Sequence, residues 1–261
     1  PAFDNVGELT ITVSQFNYVP YQATIQVTPS GTAFVVSQGF VIDDASENNN
    51  QQADFGEVLK LDVTLADVGV LPANATSAQL STSDDNVVMT DDAEDFGDLD
   101  AGISTEKTAA FAFSVSDDVP DGHTVFFNLH IEYNDSASFD AVLPVIILAP
   151  KLSITAFKID DAQGGNGNGR LESGESAQIT VSNLNKGHSS SPVALGILTT
   201  DSPWLTLTDM VPLGQIGALN GTKDAVFTVS VAPDAPQVVQ AHFHYQLLAG
   251  NYGLESDYGP F

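Results

Sequence analysis

The residues best suited to chemistry form one oxygen-rich stretch, DDAQGGNGNGRLESGE, which runs from Asp160 to Glu175. If Glu175 takes the last position of a twelve-residue calcium loop, asparagines fall at positions 3 and 5 and a glycine at position 6. Ca²⁺ takes about six to eight oxygen ligands, and this spacing turns alternate side chains inward. The predicted ligands are Asp160, Asp161, Asn166, Asn168, Arg170 through its carbonyl, Glu172 and Glu175.

The match to a calcium loop is partial. Position 1 is Gly164 instead of Asp, so Asp160 or Asp161 would have to supply that ligand from upstream. The alternative is a purely structural turn, in which asparagine side chains bond to the backbone and Glu175 accepts hydrogen bonds from loop N–H groups. Both interpretations stay open on the sequence.

A second, weaker stretch of the same kind lies in the first half of the chain, where Gln51 stands in place of the turn glycine. Calcium is the only cofactor that either stretch predicts. The candidate ligands of this first stretch are Asp43, Asp44, Asn48, Asn50, Asp54 and Glu57.

Other chemistries find little support. The chain has no cysteine, which excludes disulfides, thiol nucleophiles and thiolate metal sites. His242 and His244 alternate along a predicted strand, but no third ligand is evident, so a strand-surface role is favoured over a metal pair. Trp204 is interpreted as a core or edge anchor in preference to a sugar-stacking platform. The acidic run Asp91–Asp95 is expected to be a solvated loop.

The charge of the chain is strongly negative, with 34 acidic against 7 basic residues and a formal net charge of −27. Residues 1–150 carry 24 acidic and 2 basic residues, whereas residues 151–261 carry 10 and 5. Such a surface repels phosphates and anionic membranes. The expected partners therefore include neither nucleic acid nor a membrane interior, and the sequence contains no apolar run long enough to span one.

Strand patterns recur along the whole chain, and no segment keeps a helical period. In one of them Ala177, Ile179 and Val181 alternate with polar residues, which is typical of a half-buried strand. Many short strands between turn signals predict an all-β fold of β-sandwiches. The predicted strands are Leu9–Val13, Ala23–Val27, Leu59–Leu65, Ala109–Val115, Val125–Ile131, Ala141–Leu148, Ile179–Val181, Ala225–Val231 and Ala241–Leu247.

An internal repeat organises these strands. The tetrapeptide that starts at Ile42 recurs at Ile159, Gly56-Glu57 answers Gly174-Glu175, and Gly69 answers Gly187 at nearly constant spacing. Two tandem immunoglobulin-like sandwiches at residues 34–150 and 151–261 are the economical interpretation. Residues 1–33 are predicted to be the last strands of a preceding β domain, and Pro1 suggests that the chain is a piece of a longer protein.

The first predicted hairpin resembles the end of the immunoglobulin-like domain that follows the catalytic domain in gingipain-type secreted cysteine peptidases of Bacteroidetes-like bacteria. Asn17, Tyr18, Pro20 and Tyr21 carry this match. The repeats also resemble the β-sandwich modules of such exported proteins, in the residues Asp160, Asp161, Asn166, Asn168, Gly174, Glu175 and Gly187. The resemblance implies a secreted or cell-surface location. It carries over no activity, because the peptidase's catalytic Cys and His region is absent.

The predicted function is therefore a non-catalytic spacer and docking module of a large exported bacterial protein, in which calcium is a candidate stabiliser of the loops. Its expected partners are adjacent domains of the same polypeptide. The alternative is an adhesin or carbohydrate-binding module that acts through loops at one end of a sandwich, with a surface glycan or protein as its candidate partner. A hydrolase in its own right is the third class, and no turnover is expected.

Overall fold

The computed structural model describes residues 7–15, 19–27 and 31–261, and these residues form strands and loops without a helix. Strand β1 (Gly7–Val13) pairs antiparallel with β2 (Tyr21–Val27), as the sequence predicts for a hairpin. Of the residues that carry the family resemblance, Asn17 and Tyr18 lie outside the described part. None of the described residues belongs to a helix that could cross a membrane.

Nine strands follow in residues 35–148, namely β3 (Val35–Asp43), β4 (Ala53–Asp54), β5 (Val58–Asp67), β6 (Ala73–Ser81), β7 (Val87–Asp91), β8 (Ala93–Leu99), β9 (Ser104–Val115), β10 (His123–Tyr133) and β11 (Ala137–Leu148). One sheet has the order β3-β5-β9-β7 and the other has the order β4-β11-β10-β6-β8. The expectation of a loop at the acidic run is wrong. Asp91 ends β7 and Ala93 already begins β8, whose cross-strand partner is β6.

Eight strands follow in residues 152–258, namely β12 (Leu152–Asp160), β13 (Ser176–Asn185), β14 (Ala194–Thr200), β15 (Leu205–Leu207), β16 (Met210–Gly214), β17 (Gly221–Val231), β18 (Phe243–Leu248) and β19 (Leu254–Tyr258). Their sheets have the orders β12-β13-β17-β15 and β16-β14-β18-β19. Each of these eight strands has a counterpart at the same place in the earlier pair of sheets, which contains the short β4 in addition. The predicted all-β sandwich class is confirmed.

The core of the later pair of sheets follows from period-2 alternation. Ile179 and Val181 are fully buried, as the sequence predicts, and Phe227 packs edge-on against Tyr245 with ring centroids 6.1 Å apart. Fully burying each such side chain contributes about 1.5–3 kcal/mol. Tyr245 on β18 also donates a hydrogen bond to Oδ1 of the buried Asn183 on β13, at 3.1 Å. Burial raises the pKa of Tyr245 to about 12, so the hydroxyl keeps its proton.

The earlier pair of sheets has a wholly apolar core at the corresponding places. Leu61, Val63 and Leu65 are fully buried on one face of β5. Phe113 and Phe127 pack with ring centroids 4.9 Å apart. The alternating strand predicted at Leu59–Leu65 is therefore confirmed.

The chain divides into two compact units, and neither is one continuous segment. The first comprises residues 1–51, 58–114 and 125–145, and the second comprises residues 52–57, 115–124 and 146–261. The predicted domain limits at residues 33 and 150 stay a prediction.

In the second unit, Asn185 and Gly187 hold the chain where it enters the sheets. Asn185 Oδ1 accepts hydrogen bonds from the N–H groups of Lys151, at 3.0 Å, and of Gly187, at 2.9 Å. The N–H groups of Lys186 and His188 donate to the carbonyls of Lys151 and Ala149. A Cβ at Gly187 would overlap the backbone of residues 149–151, so only glycine permits this approach.

The first unit repeats the arrangement. Asp67 Oδ1 accepts from the N–H groups of Phe34, at 2.9 Å, and of Gly69, at 2.8 Å. The N–H groups of Val68 and Val70 donate to the carbonyls of Phe34 and residue 32. We call each of these two arrangements a linker clamp. The pairing of Gly69 with Gly187 in the sequence therefore has a physical basis, since both glycines admit a backbone at close range.

Candidate functional site

The oxygen-rich stretch lies between β12 and β13 and wraps around one buried carboxylate, that of Asp161. Its Oδ2 accepts hydrogen bonds from the N–H groups of Gly167, at 3.0 Å, and Asn168, at 3.2 Å, and its Oδ1 accepts from Gly169 at 2.8 Å. Gly167 and Gly169 have φ of 78° and 74°, which glycine adopts without strain. The two glycines thus allow successive N–H groups to point at one anion.

These N–H groups change the acidity of the carboxyl. The hydrogen bond from Gly169, followed by those from Gly167 and Asn168, lowers the pKa of Asp161 in spite of the opposing effect of burial. Asp161 is therefore ionised at neutral pH, and its charge is shared among backbone donors.

Glu175 approaches the same place from the end of the loop. A Cβ at Gly165 would lie 2.9 Å from the Glu175 carboxyl carbon and 3.0 Å from Asp161 Oδ2, so the two carboxylates flank this glycine. Oε2 of Glu175 is buried and has no hydrogen-bond partner among the described residues. Of the predicted calcium ligands, Asp161 and Glu175 are the two whose carboxylates come together here.

The other predicted ligands of this loop turn elsewhere. Asn166 Oδ1 accepts from the N–H of Asn168, and Asn168 Oδ1 accepts from the N–H of Arg170 at 2.8 Å. Asn166 Nδ2 donates to Glu172 at 2.5 Å, and Asp160 pairs with Lys158 at 3.1 Å. These local bonds are typical of a structural turn. Over the described ranges, no group of three or more His, Asp or Glu residues is placed to hold a metal, and calcium binding stays a prediction.

The corresponding loop of the earlier sheets is built in the same way. Asp44 is buried, and its carboxylate accepts hydrogen bonds from the N–H groups of Asn50, at 2.6 Å, and Gln51, at 3.1 Å. Gln51 has φ of 63°, so a non-glycine residue takes the left-handed conformation that a turn glycine would favour. Among the remaining predicted ligands, Asp43 caps the N–H of Ala45, Asn48 that of Asn50, and Glu57 that of Asp54.

A cleft of about 930 Å³ opens beside the Asp161 loop in the second unit. Loop residues 169–173, 235–241 and 260–261 line it together with Trp204, which is half-buried. The sequence predicted Trp204 to be a core or edge anchor and did not predict the cleft, because the cleft walls come from loops far apart in the chain. The dipeptide Val238-Val239, in a loop that is polar in the other repeat, is the signal that could have indicated an apolar wall.

The two candidate histidines do not share a site. His242 lies 3.3 Å from Asp201 through Nδ1, and Nδ1 of His244 lies 2.7 Å from Asp257. Each imidazole therefore faces its own carboxylate, as expected of strand-surface residues.

No protein-family model matches the sequence, and no curated protein matches it. Among solved structures, the chain is similar to BspA_C_WT, with 7% identity over 84% of this chain and 98% of that one, and a TM-score of 0.40. It is also similar to red sea bream transglutaminase, with 13% identity over 85% of this chain and 30% of that one, and a TM-score of 0.28. The secreted serine protease VesC from Vibrio cholerae gives 12% identity over 84% and 50%, with a TM-score of 0.25.

Proposed function

We propose that the chain is a non-catalytic spacer and docking region of a large exported bacterial protein, of the kind found beside gingipain-like peptidases. The two linker clamps carry this proposal. A spacer must hold the chain where it enters each folded body, and the two clamps hold the incoming backbone at residues 32–34 and 149–151. Each holds the incoming backbone by three hydrogen bonds and by contact with a glycine, whose own N–H donates to the same Asp or Asn side chain.

The net negative charge of the chain supports a location outside the cell. A net charge of −27 keeps such a protein soluble and apart from other acidic surfaces. The partners in this proposal are adjacent domains of the same polypeptide, and its location is outside the cell or on the cell surface.

Distances across the chain test the spacer role. The chain has no cysteine, so Ser81→Cys and Thr206→Cys, both at exposed strand positions, take two dyes without further changes. Single-molecule energy transfer should give one narrow distance distribution. A matched chain with Gly187→Ala, which disrupts the second clamp, should give a broader distribution. A broad distribution in the unaltered chain would end the proposal.

Calcium would stiffen the loops at Asp161 and Asp44 in this role. The unpartnered Glu175 Oε2 beside Asp161 is the observation that favours it. We expect the melting temperature to rise in millimolar CaCl₂ and to fall in EDTA, with a smaller response in Glu175→Gln. An equal melting temperature in both buffers would leave the loop as a structural turn.

A binding module is the second candidate, and the half-buried Trp204 in the cleft favours it. Aromatic rings beside polar groups suit sugar faces as well as protein side chains. An adhesin or carbohydrate-binding role predicts that the chain binds a glycan or host protein and that Trp204→Ala abolishes the binding. An unaltered dissociation constant in that variant would exclude the cleft as the binding site.

A further inference from the structure

One wall of the cleft beside Trp204 is formed by exposed apolar residues, one of them in a strained conformation. Val238 is fully exposed, and Val239 and Phe261 keep 39% and 49% of their surface accessible. Val238 also has φ of 66°, in the left-handed region, where a β-branched residue is strained. Exposed hydrophobic groups held in a costly conformation mark a surface that another molecule covers.

The earlier sheets contain the counterpart of this surface. Gly56 and Gly174 have φ of 73° and 80° and come near Asp117 and Pro233, respectively. The bond from the Val231 N–H to the Glu175 carbonyl, at 2.9 Å, repeats one from Val115 to Glu57. Segments 52–57 and 115–122 therefore correspond to segments 170–175 and 231–238. Val238 takes the place of Gly122, whose φ is 75°.

Those counterpart segments are covered within the second unit. Phe55 packs edge-on against Tyr252 with centroids 5.1 Å apart, and the Tyr252 hydroxyl donates to the Val119 carbonyl at 2.8 Å. Asn251 Nδ2 donates to Asp117 at 2.7 Å. His188 and Ser189 contribute side-chain contacts to Asp121 and Asp54 in the same way. The covering groups all come from the two loops at residues 186–193 and 249–253.

The strand ends correspond as well. Ala149-Pro150-Lys151 leads from β11 towards these covering loops, and Gly259-Pro260-Phe261 follows β19 at the equivalent place. The cleft therefore has the same position relative to its sheets as a surface that is covered by sandwich loops.

We propose that the cleft receives the loops of another β-sandwich of this kind, namely the segments equivalent to 186–193 and 249–253. This inference rests on the docking role proposed above and identifies its site. The partner is a sandwich with a less polar loop surface than residues 188–252 present, because the carboxylates of Asp117 and Asp121 are replaced here by Pro233 and Gln237. A tyrosine in the position of Tyr252 would lie in the cleft against Ser173 and Ala235, which stand here in place of Phe55 and Val119.

Trp204 is the only tryptophan of the chain and reports directly on this site. The test appends a second copy of residues 152–261 after Phe261 of the full chain, with Trp204→Phe in the copy and with His188→Ala and Asn251→Ala there to make its loop surface less polar. We expect the Trp204 emission to shift to shorter wavelength and acrylamide quenching to fall about threefold, as for a residue enclosed by an interface. Unchanged emission and quenching would overturn the proposal.

Two variants of the extended chain control this result. Val238→Asp places a charge on the cleft wall at a fully exposed position and should restore the quenching of the unextended chain. Val226→Asp, at an exposed position of β17 away from the cleft, should leave Trp204 protected. Protection that survives Val238→Asp would count against the site.

The same readout separates the rival occupant and the parent proposal. Protection of Trp204 by a soluble glycan in the unextended chain, without protection in the extended chain, would overturn the docking proposal in favour of a binding module. The distance distribution between residues 81 and 206 is measured without the appended copy. A failed spacer role is therefore distinguishable from a failed docking site.

Discussion

Gly187→Ala tests the linker clamp, because a single methyl group should disrupt it. A Cβ at Gly187 would lie 2.7 Å from the Pro150 carbonyl carbon and closer still to the Ala149 oxygen and the Lys151 nitrogen. All three are backbone atoms, so no side chain can swing away. Overpacking of this kind costs about 1–3 kcal/mol. The hydrogen bonds to the carbonyls of Lys151 and Ala149 would add about 1 kcal/mol each if they lengthen.

We therefore expect Gly187→Ala to lower the free energy of unfolding by about 3–5 kcal/mol. With a urea dependence of about 1–3 kcal/mol per molar, the unfolding midpoint should fall by at least about 1 M. Gly217→Ala is the matched control, because nothing lies within 4 Å of its added Cβ and the backbone there is not left-handed. The control should stay within about 0.5 kcal/mol of the wild type. Equal midpoints for the two variants would refute the clamp.

Three further predictions concern single carboxylates and one histidine. Asp67 Oδ2 is buried without a hydrogen-bond partner among the described residues, whereas Asn185 in the same role donates two hydrogen bonds. Asp67→Asn should therefore raise the free energy of unfolding at pH 7 by about 1 kcal/mol. A lower urea midpoint in this variant would contradict the prediction. The lowered pKa of Asp161 means that its contribution to stability is complete above its ordinary value of 3.8 and is lost as the pH falls through its lower folded value. Urea midpoints between pH 7 and about pH 3 should therefore fall less in Asp161→Asn than in the wild type, and parallel curves would contradict the prediction. The hydrogen bond to Asp140 raises the pKa of His130 above 6.5. The contribution of His130 to stability is therefore present below pH 6.5 and is lost as the pH rises through the higher folded pKa. NMR titration should show this raised pKa, and an unchanged pKa in Asp140→Asn would refute the pairing.

The fold class could be predicted because the alternation of apolar and polar residues in a strand is visible within a few consecutive residues of the sequence. Ile179 and Val181 alternate with polar residues and are buried, and Leu61 and Val63 do the same in the earlier sheets. Three of the longer strands that escaped prediction, β3, β6 and β12, each contain a shift in pairing register, which interrupts the period-2 alternation. Other strands that escaped prediction are short. β15, for example, has three residues and pairs with β17 at the edge of its sheet, so no local period could reveal it.

The site was predicted only in part. The oxygen-rich loop was identified from composition, because glycine and asparagine in succession indicate a turn with positive φ. Its geometry was not predictable, because Asp161 takes three N–H groups whose directions depend on the whole loop. The cleft is lined by Trp204 together with loop residues more than thirty positions away, and no period in the sequence encodes such an arrangement.

The hydrogen bond between Tyr245 and Asn183 has a consequence for assembly of the chain. At the corresponding places the earlier sheets bury Leu65 and Leu129. If β13 and β5 exchanged places during folding, a polar group would face a leucine in each core. Each polar group left without its hydrogen-bond partner would cost about 1–3 kcal/mol. The two halves share a strand order, but only the later one has this buried hydrogen bond between its sheets. The difference disfavours mispairing of neighbouring repeats as they emerge from the ribosome.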